Sequence, residues 1–153
     1  MTIVYEGDGD VFSSNRQTLV CPVNTKGAMG AGLARAFRFN CPGLYEAYRK
    51  KCFSGELTIN SLFLYEPPSG PKVLCFPTKE DWWNPSQVKW IEDNLKKLAT
   101  EYEALGIESL AMVAVGCGKG ELDYLYSVKP LIHRYLHPIN LEVDVLFYDP
   151  KDV

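Results

Sequence analysis

Short runs rich in β-branched and aromatic residues alternate along this chain with segments of helical periodicity, and that alternation restricts the fold more than any other feature. Strand-like runs fall at 2–5, 18–23, 61–65, 72–76, 109–115 and 142–148, and helical patterns at 30–38, 43–52, 85–105 and 123–137. The third helical pattern is the clearest: Val88, Ile91, Leu95, Leu98, Tyr102 and Leu105 step by three and four into one apolar stripe, which Gly106 ends. The last repeats the logic, with Leu125, Val128, Leu131 or Ile132, and Tyr135 facing inward and Pro138 forbidding continuation. Strands alternating with helices predict an α/β fold, a three-layer α/β/α sandwich on a central sheet of about six strands. The runs at 61–65 and 72–76, joined by Pro67-Pro68-Ser69-Gly70-Pro71, read as a hairpin, so the sheet is expected to be mixed.

Composition supports one compact unit. The chain has 153 residues, 46% hydrophobic and 23% charged, the mix of a globular domain, and 1–153 reads as a single domain. A chain of this size buries roughly 70% of its unfolded surface, enough for a core without disulfides or a structural metal. The net charge of −3 does not support a broad electrostatic grip on duplex phosphates. Local contacts from Lys26, Arg35, Arg38 and Lys89 remain open. Five cysteines, odd in number and without a C-x-x-C pair, read as free thiols in a reducing compartment. No leader and no membrane span is visible, so a cytoplasmic monomer is expected.

In an open α/β sheet ligands bind beyond the carboxyl ends of the strands, and four segments there are unusual. After the first strand comes Glu6-Gly7-Asp8-Gly9-Asp10, which fits either a carboxylate accepting from an amino group such as an adenine's or an acidic turn. After the second, Asn24-Thr25-Lys26-Gly27-Ala28-Met29-Gly30-Ala31-Gly32-Leu33-Ala34 runs straight into a helix and suits an anion. It is neither a Walker A loop nor G-x-G-x-x-G, since Leu33-Ala34 follows Gly32 and Arg35 stands third beyond it. After the fifth strand comes Gly116-Cys117-Gly118-Lys119-Gly120-Glu121-Leu122-Asp123, so two glycine-rich loops could clamp a diphosphate, although two structural turns would look the same. After the fourth strand, Lys79 precedes Trp82 and Trp83. A lysine there, partly desolvated, would have a lowered pKa and act as a nucleophile; otherwise it is a surface lysine. The two tryptophans could stack on a base or simply cover the neighbouring helix.

These residues together resemble the macrodomain family of ADP-ribose-binding modules over nearly the whole chain. The nearer resemblance is to DarG-type macrodomains, which remove ADP-ribose from thymidine bases in DNA. It is carried by Pro22-Val23-Asn24-Thr25, Met29-Gly30-Ala31-Gly32-Leu33-Ala34, Phe76-Pro77-Thr78-Lys79 and Gly116-Cys117-Gly118-Lys119-Gly120-Glu121-Leu122. The resemblance implies a site. Asp8 would accept from the adenine amino group with the backbone of Gly9 assisting, and Tyr148 would flank that ring. Gly30, Gly32 and the loop Gly116, Cys117, Gly118, Lys119, Gly120 would hold the diphosphate, with Thr25, Gly27, Met29 and Leu33 also among the ligand-binding residues. Asn24 would orient the distal ribose and Lys79 would attack or polarise its anomeric carbon.

Two departures from the wider family matter. Many macrodomains carry an asparagine where this chain has Cys21, which cannot make the same hydrogen bonds. Lysine-dependent relatives acting on ADP-ribosyl-glutamate esters carry an aspartate where Gly120 stands; this favours the DNA-directed subclass, with Asp123 nearby. The resemblance therefore implies a glycohydrolase acting on ADP-ribosylated DNA, with single-stranded DNA and an ADP-ribosyltransferase toxin as expected partners and without cofactor or metal. Two other readings stay open: a phosphatase acting on ADP-ribose 1″-phosphate, and a module that binds ADP-ribose or a related nucleotide signal without chemistry.

Overall fold

The computed structural model describes residues 4–147. Six strands form one sheet: β1 (Val4–Asp8), β2 (Thr18–Asn24), β3 (Phe63–Tyr65), β4 (Lys72–Lys79), β5 (Ser109–Met112) and β6 (Glu142–Phe147). Their spatial order is β1-β6-β5-β2-β4-β3. Every pairing is parallel except β3 with β4, which is the expected hairpin.

Helices α1 (Gly32–Asn40) and α2 (Leu44–Phe53) cover one face, and α3 (Val88–Glu101) and α4 (Lys129–Leu136) the other. Alternation along the strands builds both cores. Leu19, Cys21 and Val23 of β2 and Val73 and Cys75 of β4 pack with Phe37, Leu44 and Tyr48 of the first helix pair. Their neighbours Val20, Leu74 and Phe76 pack with Ile91, Leu95 and Leu98 of α3 and with Ile132 and Leu136 of α4. The three-layer expectation is met.

Several boundaries differ from the sequence reading. β1 continues to Asp8, so Glu6-Gly7-Asp8 is strand backbone paired to β6 rather than a turn. β4 runs through Pro77 to Lys79, and β2 carries Pro22. Each proline sits where one neighbour has already ended: β3 pairs with β4 only as far as Cys75, and β5 pairs with β2 only at Thr18 and Leu19. β5 stops at Met112, three residues short of the expected end. α3 begins at Val88 and leaves 85–87 irregular. The last helix opens with a π turn over Tyr124–Val128, which rotates Leu125 outward; it is exposed rather than facing the core.

The early end of β5 creates the cleft. β2 and β4 stay paired from Thr18 opposite Lys72 up to Asn24 opposite Lys79, with a bulge between Val23 and Asn24, while β2 and β5 separate after Leu19. From β2 the chain passes by α1 and α2 to the hairpin β3–β4 on one side, then by α3 to β5 on the other, so β2 marks the switch point where a parallel sheet opens a crevice.

Candidate active site

A cleft of about 460 Å³ lies at this opening, within the size range of small-molecule sites. Its walls are the end of β2 (Pro22, Val23, Asn24), the start of α1, the end of β4 with Thr78 and Lys79, and the segment after β5.

The loop after β2 is held by one side chain. Asn24 Oδ1 accepts from the N–H groups of Lys26 (3.0 Å) and Ala28 (3.3 Å), and its Nδ2 donates to the Ala28 carbonyl (3.0 Å). The buried Tyr48 hydroxyl of α2 donates to the Asn24 carbonyl (2.5 Å), with Oδ1 of the same residue 3.0 Å away. Asn24 therefore organises its own loop, a role the sequence did not announce, and one of its two amide hydrogens is committed to Ala28. The loop delivers the chain to α1, whose cap residue Ala31 offers no side-chain acceptor. The first-turn N–H groups, on Gly32, Leu33 and Ala34, lack helical partners, and all three residues line the cleft.

The loop after β5 is held by backbone. Gly116 adopts φ +77° and its carbonyl accepts from Leu122 N–H at 2.9 Å. A Cβ on Gly120 would fall on that same peptide, 2.7 Å from the Gly116 carbonyl carbon, so only glycine fits. Glu121 follows in the left-handed region at φ +66°. Among the described residues, the N–H groups of Gly118, Lys119 and Gly120 have no hydrogen-bond partner. The loop is tied to β4 by Ser86, whose N–H donates to the Gly120 carbonyl at 2.9 Å and whose hydroxyl donates to the Thr78 carbonyl.

Lys79 closes this arrangement. Its Cα is the register partner of Asn24, and Thr25 N–H donates to its carbonyl at 3.2 Å, so strand pairing sets the amine beside the first loop. Among the described residues no carboxylate lies within ion-pair distance of the ammonium. Burial lowers the Lys79 pKa below that of an ordinary lysine; the opposite charge of Glu121 works against this and the like charge of Lys119 adds to it.

Of the residues singled out in the sequence, Asn24, Gly30, Gly32, Leu33, Lys79, Trp82, Gly116, Gly118, Lys119 and Gly120 line the cleft. Others do not. Met29 is buried in the core against α1 and α2. Gly27, at φ +82°, packs against Arg49 and Phe53 of α2. Thr25 spends its hydroxyl on the Glu80 carbonyl. Cys117 turns its thiol toward the Val115 carbonyl and its N–H to Ala114, and burial pushes its pKa up to about 11. Trp83 stands outside the lining, edge-on to Trp82 with ring centroids 5.0 Å apart. Asp8 ends β1 opposite Phe147, and Gly9 lines a separate cavity of about 500 Å³ with Asp10, which caps the 3-10 turn Val11–Ser13 through Phe12 N–H. Tyr148 lies outside the described residues.

A family model described as Macro domain matches residues 20–129. The chain belongs to the macrodomain family. This macrodomain is 38% identical, over 95% of its length, to a DNA ADP-ribosyl transferase–DNA ADP-ribosyl glycohydrolase fusion protein of Thermosipho africanus, covering 41% of that protein. It is 34% identical, over 94% of its length, to a DNA ADP-ribosyl glycohydrolase of Thermus aquaticus, covering 40% of it. The chain thus spans about two fifths of the length of these curated relatives. Among solved structures, the macrodomain of Thermus aquaticus DarG superposes with TM-score 0.89 at 32% identity, covering 97% of this chain and all of that one. Thermosipho africanus DarTG in complex with ADP-ribose superposes with TM-score 0.88 at 36% identity, covering 95% of this chain and 41% of that one.

Proposed function

We propose that this macrodomain hydrolyses the N-glycosidic bond between ADP-ribose and a nucleobase, thymidine in DNA, with Lys79 as nucleophile. The observation that carries the reading is Lys79: its amine is partly buried with no carboxylate of the described residues within ion-pair distance, and its backbone is in register with Asn24, between the first turn of α1 and the second glycine-rich loop, both of which offer unpaired N–H groups. The relatives' activity supports the same class of reaction.

In this mechanism the diphosphate rests on the first turn of α1 and on the N–H groups of Gly118, Lys119 and Gly120, where partial positive charge complements its negative charge. The distal ribose lies toward Asn24 and Lys79. The bond from C1″ to the base nitrogen breaks with its electron pair leaving on the thymine ring, which takes a proton from water. The neutral Lys79 amine forms the new bond to C1″ and loses a proton; opening of the ribose then gives a Schiff base. Water adds to that carbon and returns free ADP-ribose and the lysine. Adenine would sit near Asp8 and Gly9, flanked by Tyr148, and Trp82 would contact the departing base with Trp83 behind it. A transferase partner, a monomeric state and a cytoplasmic setting, which five free thiols suit, accompany this reading; among the described residues no helix is long and apolar enough to cross a membrane.

Lys79→Ala tests the assignment. With an ADP-ribosylated single-stranded oligonucleotide, turnover should vanish while calorimetry still reports ADP-ribose binding, and borohydride should trap a covalent adduct on the parent protein alone. Full activity in the variant would end the lysine mechanism. Phosphate release from ADP-ribose 1″-phosphate, undiminished by the substitution, would select a phosphatase, and binding without any product a reader.

A further inference from the structure

Beyond the cleft, the charge of this chain is distributed unevenly. Between residues 26 and 56 six cations stand against two carboxylates, a net of +4 in a chain whose total is −3. The segment is the first loop with α1 and α2, the helix pair beside the cleft.

Its arginines are also bonded differently from the rest. Arg16 grips Asp144 and Glu142, and Arg134 approaches Glu92 at 3.8 Å. Arg35, Arg38 and Arg49 have no carboxylate within ion-pair distance among the described residues, and each instead lies over an aromatic ring. Three of these contacts join end to end. Arg38 of α1 lies 3.9 Å from the Tyr45 ring centroid of α2; Arg49 lies 5.9 Å from that same centroid and 4.9 Å from the Phe53 ring centroid. Arg49 and Phe53 then pack on Gly27, in the loop that Asn24 holds. The result is an alternating row, Arg38, Tyr45, Arg49, Phe53, that crosses from α1 to α2 and ends at the loop bordering the cleft. Arg38, Arg49 and Phe53 are exposed.

We propose that this row is a track for the single-stranded DNA that flanks the modified base. The proposal rests on the glycohydrolase reading for its substrate and extends it from the reacting nucleotide to its neighbours. A guanidinium stacked on a ring keeps its N–H edges free, and those edges match phosphate oxygens. The exposed Phe53 face offers a platform to a base. An unpaired strand presents phosphates and base faces in alternation, as the row does. A duplex hides its base faces, and an acidic protein surface supplies charge without the planar partners. Short contacts of this kind also explain how a chain of net charge −3 engages a polyanion: the positive face is local, and the remaining surface carries the opposite sign.

The test is fluorescence anisotropy with unmodified oligothymidylate, together with kinetics on two substrates, an ADP-ribosylated oligonucleotide and an ADP-ribosylated thymidine mononucleotide. The double variant Arg38→Gln, Arg49→Gln keeps the side-chain stems and removes two cations. It should weaken oligothymidylate binding and flatten the dependence of log affinity on log salt by about 1.4, two phosphates at roughly 0.7 each. On the oligonucleotide substrate KM should rise about tenfold with kcat retained, and mononucleotide kinetics should not change. Phe53→Leu preserves the packing on Gly27 but loses the ring, and should cost roughly tenfold in oligothymidylate affinity. Arg134→Gln, outside the row, should leave every reading as it was. Unchanged affinity and salt slope in the double variant would overturn the track, as would equal binding of duplex DNA or of polyglutamate by the parent protein. Should no substrate turn over at all, the glycohydrolase reading fails while the oligothymidylate titrations still decide the track. Should mononucleotide cleavage proceed and the titrations show no difference, the track alone fails.

Discussion

The two glycine-rich loops face the same cleft and are built on opposite principles. The loop after β2 is shaped by side chains: Asn24 collects Lys26, Ala28 and Tyr48, and Gly30 has open space where a side chain would stand. The loop after β5 is shaped by main-chain contact: Gly116 takes a left-handed conformation, and Gly120 presses against the Gly116 peptide so closely that no Cβ fits. Similar composition thus conceals different tolerances. One loop depends on a distant tyrosine and one amide, the other on the absence of side chains.

That contrast orders the expected effects of substitution. Gly120→Ala should be the most damaging, because the obstacle is backbone that cannot swing away; about 3 kcal/mol of stability should be lost, and ADP-ribose affinity in calorimetry with it. Asn24→Ala strips the first loop of its organiser and leaves the Lys26 and Ala28 N–H groups and the Ala28 carbonyl seeking partners, a loss of about 2 kcal/mol in denaturant titration. Should Asn24→Ala prove harmless to stability, the side-chain account of the first loop is wrong. Tyr48→Phe keeps the buried ring and removes only the hydroxyl, so about 1 kcal/mol is expected.

Electrostatics distinguishes the loops in a milder way, since both charged neighbours of Lys79 lie in the second. The neutral amine is the reactive form, so kcat/KM should climb as pH rises through a Lys79 pKa lying below an ordinary lysine's. Lys119→Gln removes a like charge and should move that climb to higher pH; Glu121→Gln removes an opposite charge and should move it to lower pH. Shifts in the same direction would contradict the placement of these two groups about the amine. Smallest of all, Gly118→Ala meets nothing within contact distance and should change stability by less than about 0.5 kcal/mol. Equal damage from Gly118→Ala and Gly120→Ala would dissolve the distinction between packed and open glycines.

Strand and helix identity was legible in the sequence because each element pays a local cost when its pattern is wrong: period two for β2 and β4, steps of three and four for α3. Ends were less legible. Pro77 looks like a terminator when β4 is read alone, yet it is tolerated because β3 has stopped two residues earlier, information that resides in a neighbouring strand. Leu125 reads as part of an inward stripe at 3.6 residues per turn, and the π turn over Tyr124–Val128 changes that angle. The same division runs through the site. That Lys79 and the second loop border the cleft could be read because segments following the strands of a parallel sheet lie at its crevice. Tyr48 and Ser86 carried no signal, since each acts through a hydrogen bond to a residue far along the chain.

The sequence by itself determined a three-layer α/β chain, the hairpin at one edge, and two backbone-rich turns placed after strands, because these depend on periodicity and on where a side chain is missing. Only the tertiary structure decided that β5 parts from β2 after Leu19, that this parting is the cleft, and that the Lys79 amine stands there with no carboxylate of the described residues within ion-pair distance. Register, burial and the distribution of partners arise between segments distant in sequence, and no local pattern encodes them.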